Sequence, residues 1–178
     1  TVFFLITLAN ILGWRPFTAE IRNISCTIFE PEAMYLYVTT NKKVVNVNVT
    51  LLRTVSNPVV GFFVAHDSGK GNFNLVYANR TVDMCTFMKN RKSNVFLEII
   101  FRILTKYGDL PTKCPMHKKR YEFLNVTINP ETIPPMIPDH TAMISISFGE
   151  KINRKRNNFA KATFYFVIER SYKKPSNT

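Results

Sequence analysis

Polar and apolar residues alternate through most of this chain, the pattern of strands with one face on a core and the other toward water. The clearest run is 159–170, where Ala160, Ala162, Phe164, Phe166 and Ile168 interleave with Lys161, Thr163, Tyr165, Val167 and Glu169. The same reading predicts strands at 21–30, 34–40, 43–54, 58–66, 72–78, 120–128 and 141–149. Within VVNVNVTLL, Val45, Val47, Val49 and Leu51 are expected to face inward while Asn46, Asn48 and Thr50 face solvent. By the same alternation Ile24, Cys26 and Ile28 turn inward, as do Leu124, Val126 and Ile128. Asp67-Ser68-Gly69-Lys70-Gly71 lies between two strand runs and reads as a hairpin turn. A phosphate loop would need G-x-x-x-x-G-K-[ST] and a following helix, and this segment has neither.

One segment carries the helical period instead. Phe96, Ile99, Ile100, Ile103, Leu104 and Tyr107 recur at helical spacing, widened by Leu97 and Phe101. Glu98, Arg102 and Lys106 leave only a narrow polar stripe, with Glu98 and Arg102 placed to pair at i,i+4. Ser93 or Asn94 can cap a helix over Val95–Tyr107, and Gly108 followed by Pro111 ends it. So apolar a helix must be buried on most sides, either packed on a sheet or walling a lipid cavity. Many short strands and one helix predict a mainly β fold, a β-sandwich or cup of about eight strands rather than a βαβ fold.

The two ends of the chain read differently from the middle. Val2 to Leu12 (VFFLITLANIL) is uncharged and apolar, yet falls short of the ~20 residues a membrane span needs. It fits a signal-peptide h-region, with cleavage expected after Ala19 despite the bulk of Phe17; a buried N-terminal strand is the alternative. Thr1 in place of Met and the missing basic n-region lead to the expectation that the first residues are absent. The domain organisation expected is a signal peptide over 1–19, a single domain over 20–171 and a polar tail over 172–178. Pro130 to Pro138 (PETIPPMIP) reads as an extended surface connector.

Composition narrows the class. With 178 residues, 46% of them hydrophobic, 15 Phe and 7 Tyr, the chain can fill the core of one domain, which excludes disorder for its bulk. The net charge is +12, and basic clusters occur at His117–Arg120, Lys151–Arg156 and Tyr172–Lys174. These clusters read as solvated loops, or as surfaces drawn to anionic lipid headgroups or a polyanionic matrix. Nucleic acid would fit the charge but conflicts with secretion and glycosylation.

Secretion makes four N-x-[ST] sequons legible, at Asn23, Asn48, Asn79 and Asn125. Around Asn23, Asn48 and Asn125, the outward face that a glycan needs agrees with the face the alternation assigns. Three cysteines, Cys26, Cys85 and Cys114, leave one unpaired in an oxidising compartment. Cys26, on an inward position, is most simply a buried free thiol. The C-x-x-H spacing of Cys114 and His117 is half of a metal site at best, and no metal is expected.

Catalytic signals are absent. His66, His117 and His140 lie in or beside turns, and no nucleophile elbow, zinc-protease helix or carboxylate pair occurs. His66-Asp67-Ser68 has the residue types of a triad, but adjacent turn residues seldom supply its geometry. The chain is read as a non-enzyme without a cofactor.

Thr81-Val82-Asp83-Met84-Cys85, then Lys92-Ser93-Asn94, then Cys114-Pro115 after an apolar helix, together with FTAEIRNISC ending at Cys26, carry a likeness. They resemble an insect family of secreted proteins of unknown function that includes the CheB chemosensory proteins. That family is grouped with the ML lipid-recognition superfamily, whose members include the ganglioside activator. The likeness spans roughly residues 17–168 and implies a β-cup with an apolar cavity and a Cys85–Cys114 disulfide. Two features depart from the family. The second cysteine expected near Thr39 is missing, and Pro138-Asp139-His140-Thr141 replaces P-x-G-[DE]-Y.

Together these readings predict a secreted binding protein that holds a hydrophobic small molecule or lipid without chemistry, with a role in insect chemosensation implied by the resemblance. Residues expected to line the cavity are Val47, Val49, Leu51, Ile100, Leu124, Val126, Ile146, Phe148, Phe164 and Phe166. The further partners expected are a membrane receptor or an anionic membrane surface. The alternative is an accessory protein of a receptor or ion channel, acting through an exposed apolar patch with no ligand cavity.

Overall fold

A computed structural model of the chain describes residues 17–69, 71–127 and 140–170. The expected signal-peptide run up to residue 16, Ile128, the proline-rich connector and the polar tail lie outside these residues. Eight strands form two antiparallel sheets, as the alternation predicts. They are β1 (Phe17–Ile28), β2 (Met34–Asn41), β3 (Val44–Leu51), β4 (Pro58–His66), β5 (Leu75–Asp83), β6 (Arg120–Thr127), β7 (His140–Ile152) and β8 (Lys155–Arg170). The larger sheet runs β1-β8-β7-β4-β5 and the smaller β2-β3-β6.

Register explains how the larger sheet presents one apolar face. Cys26, Ala162, Ile146 and Phe62 lie in one row across β1, β8, β7 and β4, and Ile24, Phe164, Ile144 and Val64 in the next. The intervening rows carry Ser145 and Thr163, whose hydroxyls lie 2.8 Å apart, and Ser147 beside Lys161. Along one side the two sheets meet where the Ile21 amide donates to the Lys42 carbonyl at 2.8 Å.

The other side is closed by helix. Between β5, the edge of one sheet, and β6, the edge of the other, run α1 (Met84–Lys89), a single 3-10 turn (Arg91–Ser93) and α2 (Val95–Leu104). Asn94 caps α2, its Oδ1 accepting the Leu97 amide at 2.9 Å. The helix stops at Leu104, short of the expected Tyr107. The Tyr107 hydroxyl instead lies 2.6 Å from Thr127 Oγ1 and ties the segment to β6. Gly108 is required there, since a Cβ would stand 2.1 Å from the Glu122 carbonyl oxygen. The alternation did not foretell α1, although Asp83 accepts the Thr86 amide and Met84 and Phe87 share its buried side.

Cys85, in the first turn of α1, and Cys114 form a disulfide, with Cα atoms 5.6 Å apart, whose loop holds the rest of the helical segment. Above it, Val60, Met84, Phe87, Leu97 and Phe101 form a cluster pinning both helices to β4. Arg53 donates to Glu150 at 2.7 Å, and the Ser56 amide donates to the other carboxylate oxygen at 2.9 Å, so the β3–β4 loop is strapped to β7. Burial pushes the Glu150 carboxyl pKa up, but these donors outweigh it and hold the group below the usual carboxylate range.

Three expectations need correction. Cys26 faces the same side as Ala162, yet it is exposed, because β1 is the edge strand and nothing lies beyond it in the sheet. Leu124 is 51% exposed instead of inward, for a reason given below. The cluster Lys151–Arg156 is no loop, since β7 runs to Ile152 and β8 starts at Lys155. Arg156 is moreover laid back on the larger sheet over Gly61, donating to Thr81 and Ser147.

Candidate functional site

Between the two sheets and α2 lies a cavity of about 400 Å³. Its size falls within the roughly 300–1,000 Å³ typical of small-molecule pockets. Among the described residues, every one that borders it is apolar or aromatic, and only Tyr77 and Tyr121 of these carry a hydroxyl. The larger sheet contributes Phe62, Ile144, Ile146, Phe148, Phe164 and Phe166 from its apolar rows. The smaller sheet contributes Leu36 and Val38 from β2, Val45, Val47 and Val49 from β3, and Phe123 and Val126 from β6. α2 turns Phe96, Ile99, Ile100 and Ile103 into the gap, which is why its apolar face is so broad. Phe96 stacks on Phe62 with ring centroids 4.7 Å apart, joining the helix to the sheet at the cavity wall.

Of the ten residues expected to line such a space, Val47, Val49, Ile100, Val126, Ile146, Phe148, Phe164 and Phe166 border it. Leu51 and Leu124 do not. Leu51 is fully buried where the smaller sheet packs near the disulfide-bonded end, so it is plain core. Leu124 is displaced by a bulge in β6. Val47 pairs with Phe123 but Val45 pairs with Val126, so Leu124 and Asn125 stand opposite Asn46 alone and β6 carries one extra residue. Asn125 takes up the slack at φ 58°, and its amide donates to Asn46 Oδ1 at 2.8 Å. Asparagine tolerates that left-handed backbone better than most residues. Tyr121, Phe123 and Val126 therefore face inward while Leu124 turns out.

Sequence reasoning missed much of the lining. Leu36, Val38, Phe123, Phe96 and Val64 border the cavity, and each sits at a position of regular alternation or helical period. Their signal was present, but choosing the wall from the core needs the sheet order.

Among the described residues no group of His, Cys, Asp and Glu could hold a metal ion. Cys114 is committed to the disulfide, so the spacing to His117 offers no thiolate. His66 is buried at the end of β4 with its ring 6.4 Å from that of Tyr77, and exposed His117 lies on the loop before β6. Burial pushes the Tyr121 phenol up, so at neutral pH it keeps its proton. Among the described residues that border the cavity no side chain is charged, so this wall offers contact to apolar matter.

The sequons fall on the surface. Asn23, Asn79 and Asn125 are exposed. Asn48 is half-buried on the outer face of the smaller sheet, with its Oδ1 covered and unpaired. No helix among the described residues is long and apolar enough to cross a membrane.

No curated protein matches this sequence. Residues 59–144, which run from β4 through both helices and β6 into β7, match the family described as protein of unknown function (DUF1091).

Proposed function

We propose that this chain is a secreted, non-enzymatic binding protein that holds a hydrophobic small molecule or lipid between its two sheets. The observation that carries this reading is the cavity itself: about 400 Å³ and, among the described residues, bordered by no charged side chain. A protein interior is ordinarily close-packed, and an unfilled space of this size forfeits dispersion contacts along its lining. An apolar occupant restores them, at about 0.8 kcal/mol for each methylene removed from water. The resemblance to the CheB-containing insect family and the ML lipid-recognition superfamily points the same way, and it is the ground for a role in insect chemosensation. The disulfide and the four sequons suit an oxidising, secretory route.

The test is mass spectrometry of small molecules released from the glycosylated protein after secretion from insect cells. A stoichiometric lipid or hydrocarbon is the expected result. Ile100→Trp, which fills the space from α2, should then weaken uptake of a fluorescent fatty acid by about tenfold or more. A protein that emerges empty and takes up no added fatty acid would overturn the carrier reading. The half-exposed Leu75, Val76 and Tyr77 on edge strand β5 favour the second reading in that event, an accessory to a receptor or ion channel that works through its surface.

A further inference from the structure

At the disulfide-bonded end of the sandwich, segments distant in sequence are bonded into one surface. The Phe29 amide donates to the Phe159 carbonyl, the Leu52 amide to the Ala33 carbonyl, the Leu51 amide to the Lys119 carbonyl and the Lys151 amide to the Asn57 carbonyl. The turn after β1, the β3–β4 loop, the strand leading into β6 and the β7–β8 hairpin thus share one end of the molecule. Three large apolar side chains stand out there: Phe29 at 52% exposed, Ile152 at 46% and Leu52 at 39%. Around them Lys118, Lys151, Arg154 and Lys155 are exposed, and none joins an ion pair among the described residues. Of the local carboxylates, Glu150 is engaged by Arg53 and Glu30 by Asn157, while Glu32 and, beside the disulfide, Asp83 are exposed.

We infer that this end docks on an anionic lipid surface, with Phe29, Leu52 and Ile152 entering the headgroup layer and the four cations lying against the phosphates. Isolated exposed apolar residues need no explanation, but three of them at one end of the molecule, ringed by unpaired cations, match the two attractions an interfacial surface uses. A sulfated polysaccharide would engage the cations and give the apolar tips nothing to do. The inference holds whether or not the cavity carries a ligand.

The experiment is co-sedimentation of the full glycosylated chain with phosphatidylcholine vesicles, made with and without phosphatidylserine. The chain should partition onto the phosphatidylserine vesicles and detach as salt rises. Each cation removed should weaken binding about fivefold, so Lys151→Ser, Arg154→Ser and Lys155→Ser combined should cost about a hundredfold. Phe29→Ser with Ile152→Ser should also weaken it, leaving a remainder more sensitive to salt. All five positions are exposed, and an unchanged circular dichroism spectrum verifies that each variant folds. Equal binding to both vesicles, or none, overturns the inference. So does a charge variant that loses binding while the apolar variant keeps it and heparin displaces the protein, because the surface is then a polyanion site. Self-association abolished by Phe29→Ser with Ile152→Ser, in a protein indifferent to vesicles, overturns it in favour of a second copy.

Discussion

Asn125 decides which side chains of β6 meet the interior. Its left-handed backbone inserts one residue, so the alternation that runs through Tyr121 and Phe123 resumes at Val126 and skips Leu124. Phe123→Ala should therefore destabilise the fold by about 3–5 kcal/mol. Leu124→Ser should change stability by no more than about 0.5 kcal/mol. Chemical denaturation distinguishes the two, and a larger loss at Leu124 than at Phe123 would mean that β6 keeps strict alternation through Leu124 and Val126. The sequence could not show this, since the bulge follows from pairing with β3, with Asn46 as the acceptor, and no local residue pattern marks it. Cys26 teaches the same lesson from the other side. Its face was legible, but its exposure comes from being on an edge, and strand order sets the edges. Partial desolvation still pushes its thiol pKa up, which disfavours the thiolate at neutral pH.

Helix α2 was the most legible element, because its period and its cap agree on where it starts and which face it buries, although it ends at Leu104 and not at Tyr107. It is also a cavity wall that no ladder of strand hydrogen bonds fixes. Its position depends on the Asn94 cap, the Phe96–Phe62 stack, the Tyr107–Thr127 contact and the disulfide around it. Asn94→Ala removes the acceptor for the Leu97 amide and should cost about 1 kcal/mol, read as a lower denaturation midpoint. An unchanged midpoint would mean that packing alone holds the first turn. Helix α1 went unread because six residues are too few to establish a period, although Asp83 as a cap and Met84, Phe87 and Met88 at i, i+3, i+4 were there to see. Strand β5 ran later than expected, because Asp67 holds the intervening turn through the amides of Gly69, Gly71 and Asn72 and so extends it.

At the scale of the whole molecule, the mainly β class and the two-layer form followed from periodicity, whereas strand order did not. Alternation says that a strand has two faces and is silent about which strand lies beside it. Long-range straps are invisible for the same reason, and the Arg53–Glu150 pair is one of them. Because the folded pKa of Glu150 lies below its ordinary value of 4.5, its stabilisation is complete above that value. It is lost as pH falls through the lower, folded value. Glu150→Gln should destabilise the protein at neutral pH by about 1–2 kcal/mol, discounted for the exposure of Arg53. The gap from wild type should close in acid, which a series of melting curves against pH would reveal. A gap of constant size would mean that the carboxylate keeps its proton state on unfolding.

The uniformity of the cavity wall bears on how such a protein can change over time. Volume-conserving swaps among apolar side chains cost under about 1.5 kcal/mol, so Val47, Ile100 or Ile146 can be exchanged for neighbours in size with the fold intact. Each exchange reshapes the space by about a methyl group without touching a hydrogen bond. An interior of this kind sorts occupants by length and girth, at about fourfold in affinity per methylene, and is nearly blind to their polar chemistry. Preference can then drift by small steps that leave a working molecule at each stage, where a pocket built on buried hydrogen bonds would have to break one arrangement before making the next.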